Sequence, residues 1–272
     1  MKRILSLLTL VFAIFILVGC GDQTKTIKVI ATSKPHAEIL NFAKPLLKER
    51  GYDLKIIITS DYYFPNPAVA AGDADANFFQ HVPFLNNYNQ NNPNQRLEIA
   101  SFVHIEPIGL YANSITSLDA IPNGAKVLLS NSTSDHGRAL NLLAQAGLIA
   151  LSDTFDILST NINFNEVITS NPKNLVIEAN VAPDFMISAY KSNESDLYII
   201  NSNYALEGNL NPLTDSIFIE STANNPYVNI LSVTPKLLNS DKIKALAEIL
   251  NSQAVKDFIT TTYGGSVIPH TT

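Results

Sequence analysis

Two stretches hold side chains whose types and spacing could do chemistry. Gly72–Leu85, GDADANFFQHVPFL, sets the aromatic pair Phe78 and Phe79 just ahead of His81. On a strand the two rings point to opposite faces, so one can enter a core while the other, with Gln80 and His81, faces a cleft. The local pattern fits a purely structural pair equally well. Asp73, Asp75 and His81 suggest a metal, but Asp73 sits in a turn, and Asp75 and His81 are about 20 Å apart at strand rise. The second stretch is Asp135-His136-Gly137-Arg138, at the start of an amphipathic run. A basic residue in a first helical turn opposes the helix dipole. Beside free N–H groups it makes an anion site, suited to a carboxylate held bidentately, whereas on a solvated face it is an ordinary exposed arginine. The sequence around it allows both.

The elements that must position these groups can be read in order. Thr26–Thr32 is strand-like, Ser33–Arg50 is helical with Leu40, Ala43 and Leu47 on one stripe, and Leu54–Thr59 reads as a second, buried strand. Strand, helix and strand in so short a span form a parallel βαβ unit. The loop Ser60–Pro67 carries Tyr62, Tyr63 and Phe64 with two prolines, and serves as a ligand wall or packs on the sheet. In Gly72–Leu85 the turn is Gly72-Asp73, the strand Ala74–Phe79, and Pro83 falls in the first turn of a helix. Asn86–Gln95 is asparagine-rich and reads as a helix end and solvated loop.

Ser101–Tyr111 is a strand broken at Pro107 and Gly109, as expected of a crossing between two lobes. Lys126–Ser130 and Asp135–Gln145 give a second strand and helix, and Leu175–Glu178, Asp196–Ile200 and Ser216–Ile219 are short strands. Asn225–Val233 is the returning crossover and strand, and two helices after Ser240 and Ser252 close the chain.

The first nineteen residues read as a leader. Lys2 and Arg3 precede the apolar run Ile4–Val18, too short for a typical membrane span, and Leu17-Val18-Gly19-Cys20 resembles a bacterial lipobox. That implies diacylglyceryl transfer to Cys20, with residues 20–25 as a tether to a membrane surface. Cys20 is the only cysteine, so once lipidated it leaves no disulfide, thiolate nucleophile or cysteine metal site. The 272 residues carry 46% hydrophobic and 15% charged side chains, enough for one large core or two lobes. A net charge of −6 without a basic block gives no electrostatic footprint for nucleic acid. Neither G-x-S-x-G nor H-E-x-x-H occurs, so no enzyme is expected. The five histidines stand singly among unlike elements, so no metal or other cofactor is expected either, and His36, near the cleft mouth, reads as a solvated surface residue.

Taken in order, Asp61-Tyr62, Gly72–Leu85, His104–Tyr111, Gly137–Leu140, Asn171–Leu175, Asn201–Leu206, Pro226–Asn229 and Gly264–Pro269 resemble the methionine-binding lipoproteins of bacterial ABC importers, the NlpA lipoprotein family. The resemblance implies an α/β, two-lobed periplasmic-binding-protein fold of type II, each lobe a mixed sheet flanked by helices, with two crossover strands. Lobe 1 would be residues 26–106 and 228–272, and lobe 2 residues 107–227. Carried over, Tyr62, Phe79 and His81 form a side-chain pocket, Arg138 binds the ligand carboxylate, Asn201 and Asn229 hold its polar end, and Glu106 accepts from its ammonium group. The implied function is capture of a free amino acid, methionine first, for delivery to an ABC permease and its ATPase. The protein would be a monomer, lipid-anchored to the cell membrane and facing the periplasm or the outside. A metal-binding importer lipoprotein, or one for a methionyl peptide or another apolar amino acid, is the alternative.

The chemistry agrees with that assignment. A free amino acid needs a cation, oxygen acceptors for its ammonium group and a matched wall, and aromatic rings favour a thioether by about 0.3–1.5 kcal/mol.

Overall fold

The computed structural model describes residues 25–271, so the expected leader and Cys20 lie outside the described residues. Strand β1 (Thr26–Ala31) runs through a turn at Ser33–Ala37 into α1 (Glu38–Glu49), followed by β2 (Asp53–Ile58), α2 (Pro65–Ala71), β3 (Ala76–His81), α3 (Val82–Asn91) and β4 (Glu98–Ile105). Next come β5 (Gly109–Tyr111), β6 (Lys126–Ser130), α4 (Thr133–Gln145), β7 (Ala150–Leu151), α5 (Phe164–Val167), β8 (Ile168–Ser170) and β9 (Val176–Val181). After α6 (Met186–Lys191), β10 (Leu197–Ile200), α7 (Ser202–Glu207) and β11 (Phe218–Ile219), the chain ends with β12 (Val228–Val233), α8 (Asp241–Leu250), α9 (Gln253–Tyr263) and β13 (Ile268–Pro269).

These strands build two lobes around two mixed sheets. The first has the order β13-β4-β12-β3-β1-β2 and the second β11-β5-β10-β6-β9. In the first sheet β1 pairs in parallel with β2 and β3, while β12 runs antiparallel to β3 and β4. The parallel pairs follow from the helical crossovers α1 and α2, because parallel neighbours cannot be joined by a tight turn. One face of α1 buries Leu40, Ala43 and Leu47 against β1 and against Ile243, Leu246 and Leu250 of α8, forming the core of the first lobe. The second lobe has its own core, with Val127 and Leu129 of β6 packed on Leu140 and Leu143 of α4.

Between β4 and β5, residues Glu106-Pro107-Ile108 leave the strand state, and the two strands belong to different sheets. The chain therefore changes lobes where Pro107 cannot donate to a ladder. It returns at β12, which lies inside the first sheet.

Two expectations are corrected. The strand expected to be buried, β2, is the edge of its sheet, and its carboxyl end leaves Ile57 and Ile58 40% and 60% exposed. An uninterrupted isoleucine run reads as a two-faced core strand, but among the described residues nothing covers this end of it. Helix α4 starts at Thr133 with Ser132 as its extended N-cap residue, two residues before the expected start. Arg138 therefore lies in the second turn, past the free N–H groups. The antiparallel β7–β8 pair had no sequence signal, since strands of two and three residues show no alternation.

Candidate functional site

Strand β3 delivers the first wall of the site. Phe78 is fully buried in the core of the first lobe, while Phe79, on the opposite face, joins an aromatic cluster with Tyr62, Phe84 and Tyr204. Ring centroids in that cluster are 5.0 Å apart for Tyr62–Tyr204, 5.8 Å for Tyr62–Phe79 and 5.7 Å for Phe79–Phe84. These edge-on and tilted contacts hold the rings in fixed orientations. His81 is the N-cap residue of α3, and its Nδ1 accepts from the backbone N–H of Phe84 at 3.2 Å. Its Nε2 lies 3.0 Å from Asp135 Oδ1 in α4, so the first lobe grips the second through this residue. The Tyr62 hydroxyl donates to Asn203 Oδ1 at 2.6 Å, and the Tyr204 hydroxyl donates to the Ser60 carbonyl at 2.6 Å, both also across the cleft.

All seven residues singled out in the sequence, Tyr62, Phe79, His81, Glu106, Arg138, Asn201 and Asn229, line one cavity between the lobes. The cavity is narrow: the room left between its side chains, about 20 Å³, holds little more than one water. Gln80, Phe84, Ser202 and Asn203 complete its wall. Asn201 precedes α7 and Asn229 lies on β12 beside His81. Asn203 Nδ2 and Asp135 Oδ2 are buried without a hydrogen-bond partner among the described residues.

Arg138 is buried, and its Nε and Nη2 donate to the carboxylate of Glu220 at 3.1 and 2.7 Å. Nη2 also donates to the Glu106 carbonyl at 2.5 Å, and the guanidinium carbon sits 4.6 Å from the centre of the Tyr227 ring. Burial alone would make the guanidinium easier to deprotonate, but the Glu220 carboxylate and Asp135 outweigh it and hold its pKa above the ordinary value. The bidentate fork expected to await an external carboxylate is thus filled by Glu220. What remains is Nη1, whose nearest acid is Asp135 Oδ1 at 3.8 Å, beyond hydrogen-bond distance. For Asp135, burial raises the carboxyl, but His81 and Arg138 overcome it and bring its pKa to about 2.

Further corrections concern the histidines. His36 is fully buried, not a surface residue, and it meets His104 and Glu106 in one cluster, so the histidines are not scattered singly. The turn after β1 folds His36 back under β12, a long-range placement to which its neighbours in sequence give no clue. Glu106 sits beside this cluster with its pKa raised, because burial outweighs the favourable pull of His36 and Arg138.

Sequence reading missed Glu220, Phe84 and Asn203. Glu220 follows the short strand β11, and nothing local pairs it with an arginine 82 positions earlier. Phe84 and Asn203 lay inside the quoted motifs, and only the helix starts after β3 and β10 show that they turn inward.

A cationic edge, a carboxylate, several amides and a ring-lined hollow in one crevice suit a small zwitterion with an apolar side chain. The family model described as NlpA lipoprotein matches residues 27–271. The methionine-binding lipoprotein MetQ of Bacillus subtilis is 43% identical over 274 residues, spanning 98% of each chain. Among solved structures, a nutrient binding protein from Burkholderia cenocepacia bound to methionine superposes with a TM-score of 0.83 at 33% identity, covering 90% of this chain and 100% of that one. A periplasmic substrate-binding protein of an ABC transporter from Coxiella burnetii gives a TM-score of 0.82 at 32% identity over the same shares. With nearly its whole described length matched in both sequence and fold, the chain belongs to the NlpA lipoprotein family.

Proposed function

We propose that this protein is the substrate-binding lipoprotein of an ABC importer and captures free methionine between its lobes. The observation that carries this is the convergence of Arg138, Glu106 and the Tyr62–Phe79–Phe84 rings on one small cavity. In this reading the thioether chain lies among Tyr62, Phe79, His81 and Phe84, where sulfur–aromatic contacts add to burial. The carboxylate meets Arg138 Nη1 with help from Asn201 and Asn229, and the ammonium group meets Glu106. The lobes are residues 26–106 with 228–272, and residues 107–227, and a ligand touching both favours the closed state. That state is the form presented to a permease and its ATPase, with the protein acting as a monomeric carrier and not as an enzyme.

Cys20 carries the lipid, residues 1–19 are removed, and the folded part faces away from the cytoplasm. Among the described residues no helix is long and apolar enough to cross a membrane, so attachment falls to the anchor.

A thermal-shift screen tests the ligand. Protein unfolded, dialysed and refolded to remove any bound ligand is melted with each amino acid, with methionyl dipeptides and with divalent metals. Methionine at a hundred times its dissociation constant should add about 2.7 kcal/mol of stability. Stabilisation by a metal alone, or by none of these, would overturn the reading.

A further inference from the structure

Two buried imidazoles stand directly behind the cavity wall, and none of the roles above uses them. His36, in the turn after β1, and His104, on β4, have ring centroids 5.0 Å apart and both meet Phe78 edge-on. His36 Nε2 faces two acceptors, Asn229 Oδ1 at 3.0 Å and Glu106 Oε1 at 3.2 Å, so that nitrogen carries the proton. Its Nδ1 then accepts from the Thr32 hydroxyl at 2.6 Å. His104 Nε2 lies 2.6 Å from the same Glu106 oxygen, while its Nδ1 is buried without a partner among the described residues. Its proton therefore also belongs on Nε2. Burial keeps both rings neutral, with pKa values lowered to about 4 for His36 and about 3 for His104.

The His104 N–H thus donates to Glu106 Oε1, and the His36 N–H, bonded to Asn229 Oδ1, stands with its nitrogen 3.2 Å from the same carboxylate oxygen. They stabilise the ionised carboxylate against burial, and they leave Oε2 as the oxygen that no imidazole engages. His36 also holds the amide oxygen of Asn229, a residue of the cavity lining, which leaves the NH₂ group as the one to donate to a ligand.

We infer that His36 and His104 are positioning residues that set Glu106 to receive a ligand ammonium group and Asn229 to donate to a ligand carboxylate, selecting for a free α-amino acid. This rests on the amino-acid reading above and extends it from the cavity lining to the layer behind. The same two imidazoles and one carboxylate have ligand atoms within 4.8 Å of one another, a set that zinc also accepts. The hydrogen bonds favour the proton network, since each Nε2 already donates to an acceptor and the His104–Glu106 pair is in direct contact.

The test titrates the detergent-solubilised, ligand-stripped lipoprotein with L-methionine and with 4-(methylthio)butanoate, the same molecule without its amino group. The native protein should prefer methionine by about tenfold or more, as befits a charged hydrogen bond. H104L should lose about that factor for methionine while binding the des-amino acid within about twofold of native, and H104Q, whose amide nitrogen replaces Nε2, should restore the preference. If H104L does not fold, H104N removes the same donor with a smaller polar side chain and is read in the same way. Equal loss for both ligands, or no loss for either, would overturn the positioning role. Zinc chloride alone raising the melting temperature of the native protein but not of H104Q would overturn it in favour of a metal site. Native protein that binds no methionine would instead remove the amino-acid reading beneath it.

Discussion

Arg138 carries a charge that the fold has already matched. Because Glu220 holds two of its nitrogens from within the same lobe, R138A removes the proposed ligand contact and also leaves a buried carboxylate unpaired. Unpairing such a charge costs about 3–5 kcal/mol, so R138A should lower stability as well as abolish methionine binding. R138K keeps the charge but lacks the planar fork, and should weaken binding at least tenfold with a smaller stability loss. Calorimetry together with chemical denaturation separates the two effects, and unchanged affinity in R138K would remove the carboxylate role. The buried histidines set a pH dependence. Between about 6.5 and about 4 the unfolded chain takes up a proton that folded His36 refuses, and His104 behaves likewise to about 3. Stability therefore falls as pH falls through this window and recovers as pH rises, by about 1.4 kcal/mol per pH unit for each ring. Denaturation midpoints should drop from pH 7 to pH 5, and H104Q should drop less steeply; identical slopes would contradict the buried neutral state.

At the scale of elements, Gly137 fixes how closely α4 meets the loop before α5. A Cβ there would overlap the Ile157 carbonyl, and that carbonyl is also held by the Tyr227 hydroxyl at 2.7 Å. Alanine for glycine inside a helix ordinarily adds about 1 kcal/mol of stability. Here G137A should instead cost about 1–3 kcal/mol by overpacking, measured by denaturant unfolding, and a gain would show that the loop retreats freely. The turn–strand–helix order around Phe79 and the break at Pro107 were legible because each depends on local rules, alternation and a missing N–H. The edge position of β2 was not, because exposure of Ile58 depends on what packs over it. The start of α4 was set two residues late because Asp135 is as good a cap type as Ser132, and only the backbone distinguishes them. The residues that face the cavity could be named, but Glu220, which holds Arg138, and His36, which holds Asn229, come from distant parts of the chain.

The whole molecule joins its lobes through bonds of which two, His81–Asp135 and Tyr62–Asn203, use residues that line the cavity. His81–Asp135, Tyr62–Asn203 and Tyr204–Ser60 each cross the cleft, so closure draws on Tyr62 and His81, two side chains of the proposed ligand pocket. D135N should weaken the first of these clasps, and ligand-induced compaction seen by solution scattering should then require more methionine than in the native protein. Equal half-saturation would show that the clasp does not bias closure. C20S should move the protein from the membrane fraction to the soluble one, since a diacyl anchor is the only attachment proposed. Retention on membranes would count against lipidation at that residue.

The central claim is that one small molecule touches the guanidinium of one lobe and the rings of the other. Crystals of ligand-stripped protein, grown with ordinary methionine in the chain and soaked in L-selenomethionine, locate the ligand side chain by the anomalous signal of its selenium. The predicted peak lies about 5 Å from the Tyr62, Phe79 and Phe84 rings, with density continuing to Arg138. A peak in another groove, or none at saturating ligand, would contradict it.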